Sequence, residues 1–261
     1  MISQAFAVPR SDFPPTVEEF FPPALAGGTY PWLTKFTLLT WLSVALILLF
    51  YVLAYRNPKI VPGRAQWIAE SVYGFTRENI AVGLIGSRGV KFAPYFTTLL
   101  SFILVTNVWA IIPFIQISSN SHIAFPIMLT IITYVMFNYV GIRQKGFVKY
   151  MKHALIPPAP WFILPILAPI EGFSTFIVRP ITLSLRLFAN MFAGHMILLV
   201  FTLGGFALLN ADSLFLKSVS VVSWALTIAL TFLEALVIVL QSYVFVVLTS
   251  SYVSGALAEE H

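Results

Sequence analysis

Long apolar segments separated by short polar ones make up most of the chain, and their spacing predicts a helical membrane protein. Five segments are apolar over the roughly 20 residues that a helix needs to cross a bilayer. They cover about residues 33–55, 92–112, 123–142, 164–209 and 214–256. The last two exceed the required length, so we expect them to be strongly tilted or to extend beyond the hydrocarbon. The pattern predicts an all-α integral membrane protein with five transmembrane helices.

The polar segments between these spans differ in character. Residues 63–83 mix arginine and glutamate with tryptophan, tyrosine and phenylalanine, which indicates an amphipathic helix in the membrane interface or a cytosolic helix packed on neighbouring protein. Residues 118–121 predict a turn in an external loop, where Asn120 and His122 should be solvated. The lysines and arginine of residues 143–152 predict a basic loop. Residues 1–32 predict an extended external segment, and residues 33–261 a single membrane domain.

Composition supports this class and excludes others. The chain is 59% hydrophobic and only 10% charged, whereas soluble domains have about 25% charged residues. The net charge of +5 does not indicate nucleic-acid binding, because the basic residues lie between apolar segments rather than in one patch. The absence of cysteine excludes disulfides, zinc–thiolate sites and iron–sulfur clusters. We predict no metal site and no cofactor.

The distribution of lysine and arginine predicts the orientation. With the N-terminus outside and the C-terminus inside, ten basic residues are cytoplasmic and three are external, as the positive-inside rule requires. The ten are Arg56, Lys59, Arg64, Arg77, Arg88, Lys91, Arg143, Lys145, Lys149 and Lys152, and the three are Arg10, Lys35 and Lys217.

A few polar residues interrupt the last two apolar segments. They include Glu171, Arg179, Arg186, Asn190 and His195 in the first and Glu234 and Gln241 in the second. Arg186 is the most informative, because a guanidinium keeps its proton in proteins and costs at least about 2.5–3.5 kcal/mol at bilayer depth. A structural ion pair or a snorkelling side chain is the alternative to a functional charge. The distance of Arg186 from either end of its segment favours function.

Simple geometry predicts which of these residues share a level. In an antiparallel hairpin, residues at equal depth have numbers with a constant sum. The residue numbers of Arg186 and Gln241 add to 427, and those of His195 and Glu234 add to 429. Half of such a sum marks the position where the chain turns, and both values fall beside the polar turn at residues 210–213. The His195–Glu234 level then lies about 10–13 Å closer to the outside than Arg186.

Helical phase and acid–base chemistry predict the roles. At about 100° per residue, Arg179, Thr182, Arg186 and Asn190 share one stripe, and His195 points to the opposite face. Arg186 can attract a carboxylate and repel a passing cation, and its acidic partner is expected on another chain. His195 and Glu234 can carry protons along a wet path.

Alternatives remain for the other polar residues. His195 alone could equally be a buried core histidine, and its matched depth with Glu234 favours the relay. Asn190 and Gln241 either serve the ion path or hydrogen-bond between helices. Glu171 either lines an inner access path, to which we also assign Thr182, or is solvated. Arg179 is predicted to be an anchor near the inner interface.

The run RPITLSLRLFANMFAGH at residues 179–195 closely resembles the signature of subunit a of F-type ATP synthases. LEALVIVLQSYVF at residues 233–245 is similar to the last helix of that family. The match is strong over the C-terminal hundred residues and rests on topology elsewhere. Its details are closer to actinobacterial than to enteric members, and mitochondrial members share the Gly-His form.

The resemblance implies a stator subunit whose two long tilted helices face a rotating ring of c subunits, each carrying a membrane-embedded carboxylate. Arg186 matches the arginine that releases the proton from this carboxylate and blocks a leak between two offset half-channels. His195, Glu234, Asn190 and Gln241 match residues of the outer half-channel or near the arginine, and Glu171 is similar to an acid of the inner one. The implied partners are the c-ring, the peripheral stalk subunit b and the assembled synthase. ATP chemistry would belong to these partners, so no catalytic site is expected in this chain. The implied location is a bacterial plasma membrane, with the mitochondrial inner membrane as the alternative.

Two other classes of function fit the composition. A proton- or sodium-coupled secondary transporter also places charges at mid-membrane, but it should show inverted repeats and helices broken at the midplane. We find no repeat, and Gly204 and Gly205 lie near the outer end. A structural assembly subunit would not need a titratable pair at matched depth. The sequence leaves open whether the ion is H⁺ or Na⁺.

Overall fold

The computed structural model describes residues 34–112, 115–155, 164–210 and 213–257, which are almost entirely helical with no β-strand among them. The α-helices of this part are α1 Lys35–Tyr55, α2 Arg64–Phe75, α3 Gly83–Ile85, α4 Ala93–Val108, α5 Ala124–Lys145, α6 Phe147–Leu155, α7 Leu164–Phe173, α8 Arg179–Leu209 and α9 Leu214–Leu257. π-Helical segments at Thr76–Val82 and Ser174–Val178 join α2 to α3 and α7 to α8, and 3₁₀ turns lie at Ser87–Phe92 and Ser119–Ser121. The predicted external segment, residues 1–32, lies outside the described residues.

Five helical stretches are long and apolar enough to cross a membrane, which confirms the predicted architecture. They are Lys35–Tyr55, Ser87–Val108, Ala124–Lys145, Ile166–Leu209 and Phe215–Leu257. The last two have 44 and 43 residues. At about 1.5 Å per residue each is roughly 65 Å long, about twice the thickness of the hydrocarbon core. The excess length predicted for these helices is therefore confirmed.

The predicted amphipathic segment at residues 63–83 is helical. It consists of α2, the π-helical Thr76–Val82 and the first residue of α3. Its buried side includes Gln66, Ala69 and Ile80, while Trp67 and Ile68 are exposed. Thr76 at the start of the π-helical segment shares a hydroxyl hydrogen bond with Thr97 of α4. The segment thus packs against the bundle on one side and leaves an apolar surface on another, as an interfacial helix would.

The prediction of a basic loop at residues 143–152 was wrong. Helix α5 continues to Lys145, and α6 begins at Phe147. Tyr150 anchors α6, because its side chain is buried and its hydroxyl donates a 2.9 Å hydrogen bond to Oδ1 of Asn138. Lys149 and Lys152 remain exposed on the other side. A helix of nine residues is shorter than the window of about 11–18 residues over which periodicity is read, so the sequence did not predict it.

The predicted turn at residues 118–121 exists, but the expectation that Asn120 is solvated was wrong. Asn120 is 1% exposed, and its Nδ2 donates hydrogen bonds of 2.7 Å to Oδ1 of Asn107 and 3.1 Å to Oγ1 of Thr106. The hydroxyl of Ser118 donates to the same Asn107 oxygen at 2.8 Å. The polar run therefore folds back onto α4, where its groups satisfy one another and can be buried at little cost.

Helices α8 and α9 form the predicted antiparallel hairpin. The hydroxyls of Ser220 and Ser223 in α9 donate to the carbonyl oxygens of Gly205 and Phe201 in α8, at 2.8 and 2.7 Å. The chain reverses between Leu209 and Leu214, where the polar residues predicted a turn. The buried faces of both helices join α4 and α5 in one apolar core, whose residues include Phe96, Ile103, Phe137, Leu183, Leu187, Phe245 and Val253.

Candidate functional site

Helix α8 separates a charged outer face from a buried inner face. Arg186 and Thr182, one turn apart, are both exposed. Arg186 makes no hydrogen bond or ion pair with any residue of the described part. His195 is only 5% exposed and lies on the opposite side of the helix, where Leu187 and Met191 are also buried. The opposite orientation that helical phase predicts for Arg186 and His195 is therefore found in the structure.

Asn190 and Gln241 connect the two long helices. Nδ2 of Asn190 donates a 2.7 Å hydrogen bond to Oε1 of Gln241. Asn190 is exposed beside Arg186, whereas Gln241 is 2% exposed and its Nε2 donates to no described residue. The buried amide of Gln241 thus ends beside the surface that carries Arg186.

The predicted level of Gln241 agrees with the structure to within one helical turn. Gln241 bonds to Asn190, which lies four residues after Arg186. Helical phase explains this choice, because Arg186 points out of the hairpin while Asn190 stands on the flank of α8 that faces α9. Hydrogen bonding between helices was one of the two roles that the sequence left open for Asn190 and Gln241.

Glu234 lies at the level of His195, as predicted. A side-chain carbon added to Gly194, the residue before His195, would stand 3.5 Å from Oε1 of Glu234. Glu234 is 5% exposed, and neither of its carboxylate oxygens accepts a hydrogen bond within the described part of the chain. Native proteins rarely leave buried polar atoms unsatisfied unless a function or ordered water explains them.

A second charged group occupies the other end of the hairpin. Glu171 of α7 and Arg179 at the start of α8 form an ion pair, with 3.2 Å between Oε1 and Nη2. The guanidinium carbon of Arg179 stands 5.6 Å from the ring centroid of Tyr252 in α9. Nearby, the Thr182 hydroxyl donates to the carbonyl oxygens of Val178 and Arg179 in its own helix. Sequence reasoning treated Glu171 and Arg179 separately and missed this contact.

Sequence reasoning also missed a polar cluster between α4 and the 3₁₀ turn Ser119–Ser121. The cluster comprises Thr106, Asn107, Ser118 and Asn120, and the turn contacts α8. Nδ2 of Asn107 is buried and donates to no described residue. The adjacent pair Thr106-Asn107 inside an apolar span was the signal that could have revealed the cluster.

Nζ of Lys35, at the start of α1, donates a 3.2 Å hydrogen bond to the carbonyl oxygen of Ile115. This contact ties α1 to the connection between α4 and α5, and Ser119 adds a second link by donating to the carbonyl oxygen of Phe36. The start of α1 is therefore fixed close to the buried polar turn.

These groups can move and control charge, but they do not form a metal centre. No cluster of three His, Asp or Glu side chains that could hold a metal ion occurs among the described residues. The chemistry available is proton exchange at buried His195 and Glu234 and at half-exposed Glu171, together with a permanent positive charge at Arg186. Along the chain, Arg186 lies between Glu171 of α7 and His195 at the middle of α8.

Comparison with known proteins agrees with this arrangement. Residues 37–254 match the family described as ATP synthase A chain. The chain is 44% identical to ATP synthase subunit a of Pseudarthrobacter chlorophenolicus, over 98% of this chain and 99% of that protein. It is 41% identical to ATP synthase subunit a of Rhodococcus erythropolis, over 95% of this chain and 91% of that protein. It is 40% identical to ATP synthase subunit a of a Nocardioides species, over 95% of this chain and 94% of that protein. The predicted resemblance, including its actinobacterial character, is confirmed, and the chain belongs to the ATP synthase A chain family.

Proposed function

We propose that this chain is the stator subunit a of an F-type ATP synthase and couples proton movement through two offset half-channels to rotation of a ring of c subunits. The observation that carries the proposal is the exposed Arg186 without a partner among the described residues. A charge at bilayer depth is costly unless it is paired. A carboxylate on a neighbouring chain would supply that pair, as the c-ring of an ATP synthase does.

The outer half-channel is assigned to His195, Glu234, Asn190 and Gln241. Buried Glu234 beside Gly194 and the Asn190–Gln241 contact support a polar route along the α8–α9 seam. A proton entering from outside would pass His195 and Glu234 and neutralise a ring carboxylate. Once neutral, that carboxylate can turn into lipid at low cost.

The inner half-channel is assigned to Glu171 and Thr182. The half-exposed carboxylate of Glu171 lies fifteen residues before Arg186, which is about 20 Å along a helix. After nearly a full rotation the ring carboxylate would meet Arg186, whose charge favours its ionised form. The proton would then leave past Thr182 and Glu171, and each charge crossing gains about 2.3 kcal/mol per 100 mV.

Arg186 would also prevent a short circuit. Because the guanidinium stays charged, it repels a proton or another cation that moves directly from one path to the other. Rotation is then the remaining route between the paths. In this arrangement the N-terminus is outside, the C-terminus is cytoplasmic, and α8 and α9 are tilted against the ring in a bacterial plasma membrane, with stalk subunit b as a further partner.

The test uses inverted membrane vesicles that contain the assembled complex. We expect Arg186→Ala to abolish ATP-driven proton pumping and to create a passive proton leak that needs the assembled ring. Arg143→Ala is the matched control, because Arg143 is an exposed arginine at the end of α5. Normal coupled pumping by Arg186→Ala would overturn the assignment. Ion transport by the wild-type chain without ring or catalytic head would favour the secondary transporter.

A further inference from the structure

Residues Glu171 and Arg179 are eight positions apart, which is an unusual spacing for an ion pair within one helix. In an uninterrupted α-helix such residues point about 80° apart. Here the π-helical segment Ser174–Val178 lies between them. A π-helical turn takes up an additional residue, which rotates Glu171 toward the face of Arg179. Helical side chains also lean toward the N-terminus, so Arg179 reaches back to the carboxylate at 3.2 Å.

Neighbouring helices hold both members of the pair. The guanidinium of Arg179 lies over the ring of Tyr252 in α9, at a distance typical of a cation–π contact. The Tyr252 ring in turn packs 5.8 Å from the buried ring of Phe137 in α5. On the other side, Gly172 next to Glu171 is buried where Leu155 of α6 approaches. Arg179 is therefore held by α9, and the backbone beside Glu171 packs against α6.

The pair lies in line with the exposed charge of α8. Arg179 and Arg186 are seven residues apart, so they point within about 20° of each other. Arg179 is paired with Glu171, whereas Arg186 has no partner among the described residues. The two arginines thus have different surroundings, although they share one face of one helix.

We propose that Arg179 is a positioning residue of the inner proton path: its ion pair holds the Glu171 carboxylate in place before the start of α8. The reason is geometric, because Nη2 of Arg179 stands 3.2 Å from Oε1 of Glu171 while the same guanidinium is held over the ring of Tyr252. Without Arg179, the Glu171 carboxylate would lose this fixed position, and proton transfer through the inner path would slow. This inference rests on the proposed function and assigns a role to a residue outside its two half-channels.

A double-mutant cycle in the assembled complex tests the proposal. ATP-driven proton pumping in inverted vesicles is normalised to the amount of assembled chain for Glu171→Gln, Arg179→Gln and the double variant. We expect Arg179→Gln to lower the pumping rate about threefold to tenfold, the size typical of coupled contacts. In the Glu171→Gln background, the same substitution should lower the pumping rate no further. Arg179→Lys should restore most of the rate because it keeps the charge. Arg143→Gln, an exposed arginine at the end of α5, should pump normally.

The outcomes separate this inference from the proposed function. An equal loss for Arg179→Gln with and without Glu171, or no rescue by lysine, would overturn the positioning role and leave the half-channels in place. Normal pumping by Glu171→Gln would show that Glu171 is not part of the inner path, and it would also contradict the positioning role of Arg179. Neither result bears on Arg186, which has its own test above.

Discussion

Asn190 and Gln241 join the two long helices one turn from Arg186, through a 2.7 Å hydrogen bond from Nδ2 of Asn190 to Oε1 of Gln241. Gln241 is buried, and Asn190 is exposed on the arginine face. Together with the bonds from Ser220 and Ser223 to carbonyl oxygens of α8, this bond fixes the register of the two helices. It also connects the surface of Arg186 with the buried seam that contains Glu234.

The Asn190–Gln241 bond should contribute modestly to stability. A double-mutant cycle with Asn190→Ala and Gln241→Ala should give a coupling energy of about 0.6 kcal/mol and at most about 1.7 kcal/mol, as for other hydrogen bonds between membrane helices. Reversible unfolding of the purified chain in mixed micelles, followed by circular dichroism, measures it. Ser251→Ala, at an exposed position of α9, is the control. A coupling energy of zero would contradict the role in register.

Gly194 should tolerate alanine but not a larger side chain. An added Cβ would stand 3.5 Å from Oε1 of Glu234, which is ordinary van der Waals contact. Gly194→Ala should therefore pump protons at close to the wild-type rate. Gly194→Leu should displace the Glu234 carboxylate and lower pumping by about tenfold or more, as misplaced proton-transfer groups do. Equal rates for the two variants would show that space at Gly194 does not control Glu234.

Asn120 should be important for stability although it lies in a connection. Asn120→Ala removes two buried hydrogen bonds, to Asn107 and Thr106, which costs about 1–3 kcal/mol in total. The matched control is Asn79→Ala, because Asn79 is exposed and bonds only to a carbonyl of its own helix, so the change should be within about 0.5 kcal/mol. Thermal unfolding of the purified complex compares them. Equal midpoints would contradict a structural role for the cluster.

The orientation can be tested directly because the chain has no cysteine. A single cysteine introduced at Lys149 in α6 should react with a membrane-impermeant maleimide only in inverted vesicles. A cysteine at Lys217 near the start of α9 should react only in right-side-out vesicles or cells. Both positions are exposed in the structure. The reverse pattern would contradict the predicted excess of positive charge on the cytoplasmic side.

The sequence was sufficient for the elements whose signal is a long apolar run. The spans around α1, α4 and α5 and the two long final segments follow from length and hydropathy alone, because a bilayer demands about 20 apolar residues per crossing. The hairpin of α8 and α9 and the opposite faces of Arg186 and His195 follow from helical periodicity. Short elements such as α6 have too few residues for either signal.

Contacts between elements were less predictable. Asn120 was expected in solvent because its surroundings in the sequence are polar, but the partners that allow its burial lie on α4. The hydrogen bond between Asn190 and Gln241 was an open alternative in the sequence, because it depends on helical phase as well as on depth. The Glu171–Arg179 pair needs a π-helical turn between its members, and no periodicity in the sequence indicates one.

The sequence by itself determined the class of this protein, its number of membrane helices and the residue types available for proton chemistry. These properties depend on the free energy of placing each side chain in water or hydrocarbon, which is local to the chain. Only the tertiary structure decided which polar groups are paired. It joined Glu171 to Arg179 and Asn190 to Gln241, and it left Arg186 exposed without a partner in the described residues. The reason is physical, because hydrogen bonds and ion pairs depend on ångström-scale distances between side chains that only packing brings together.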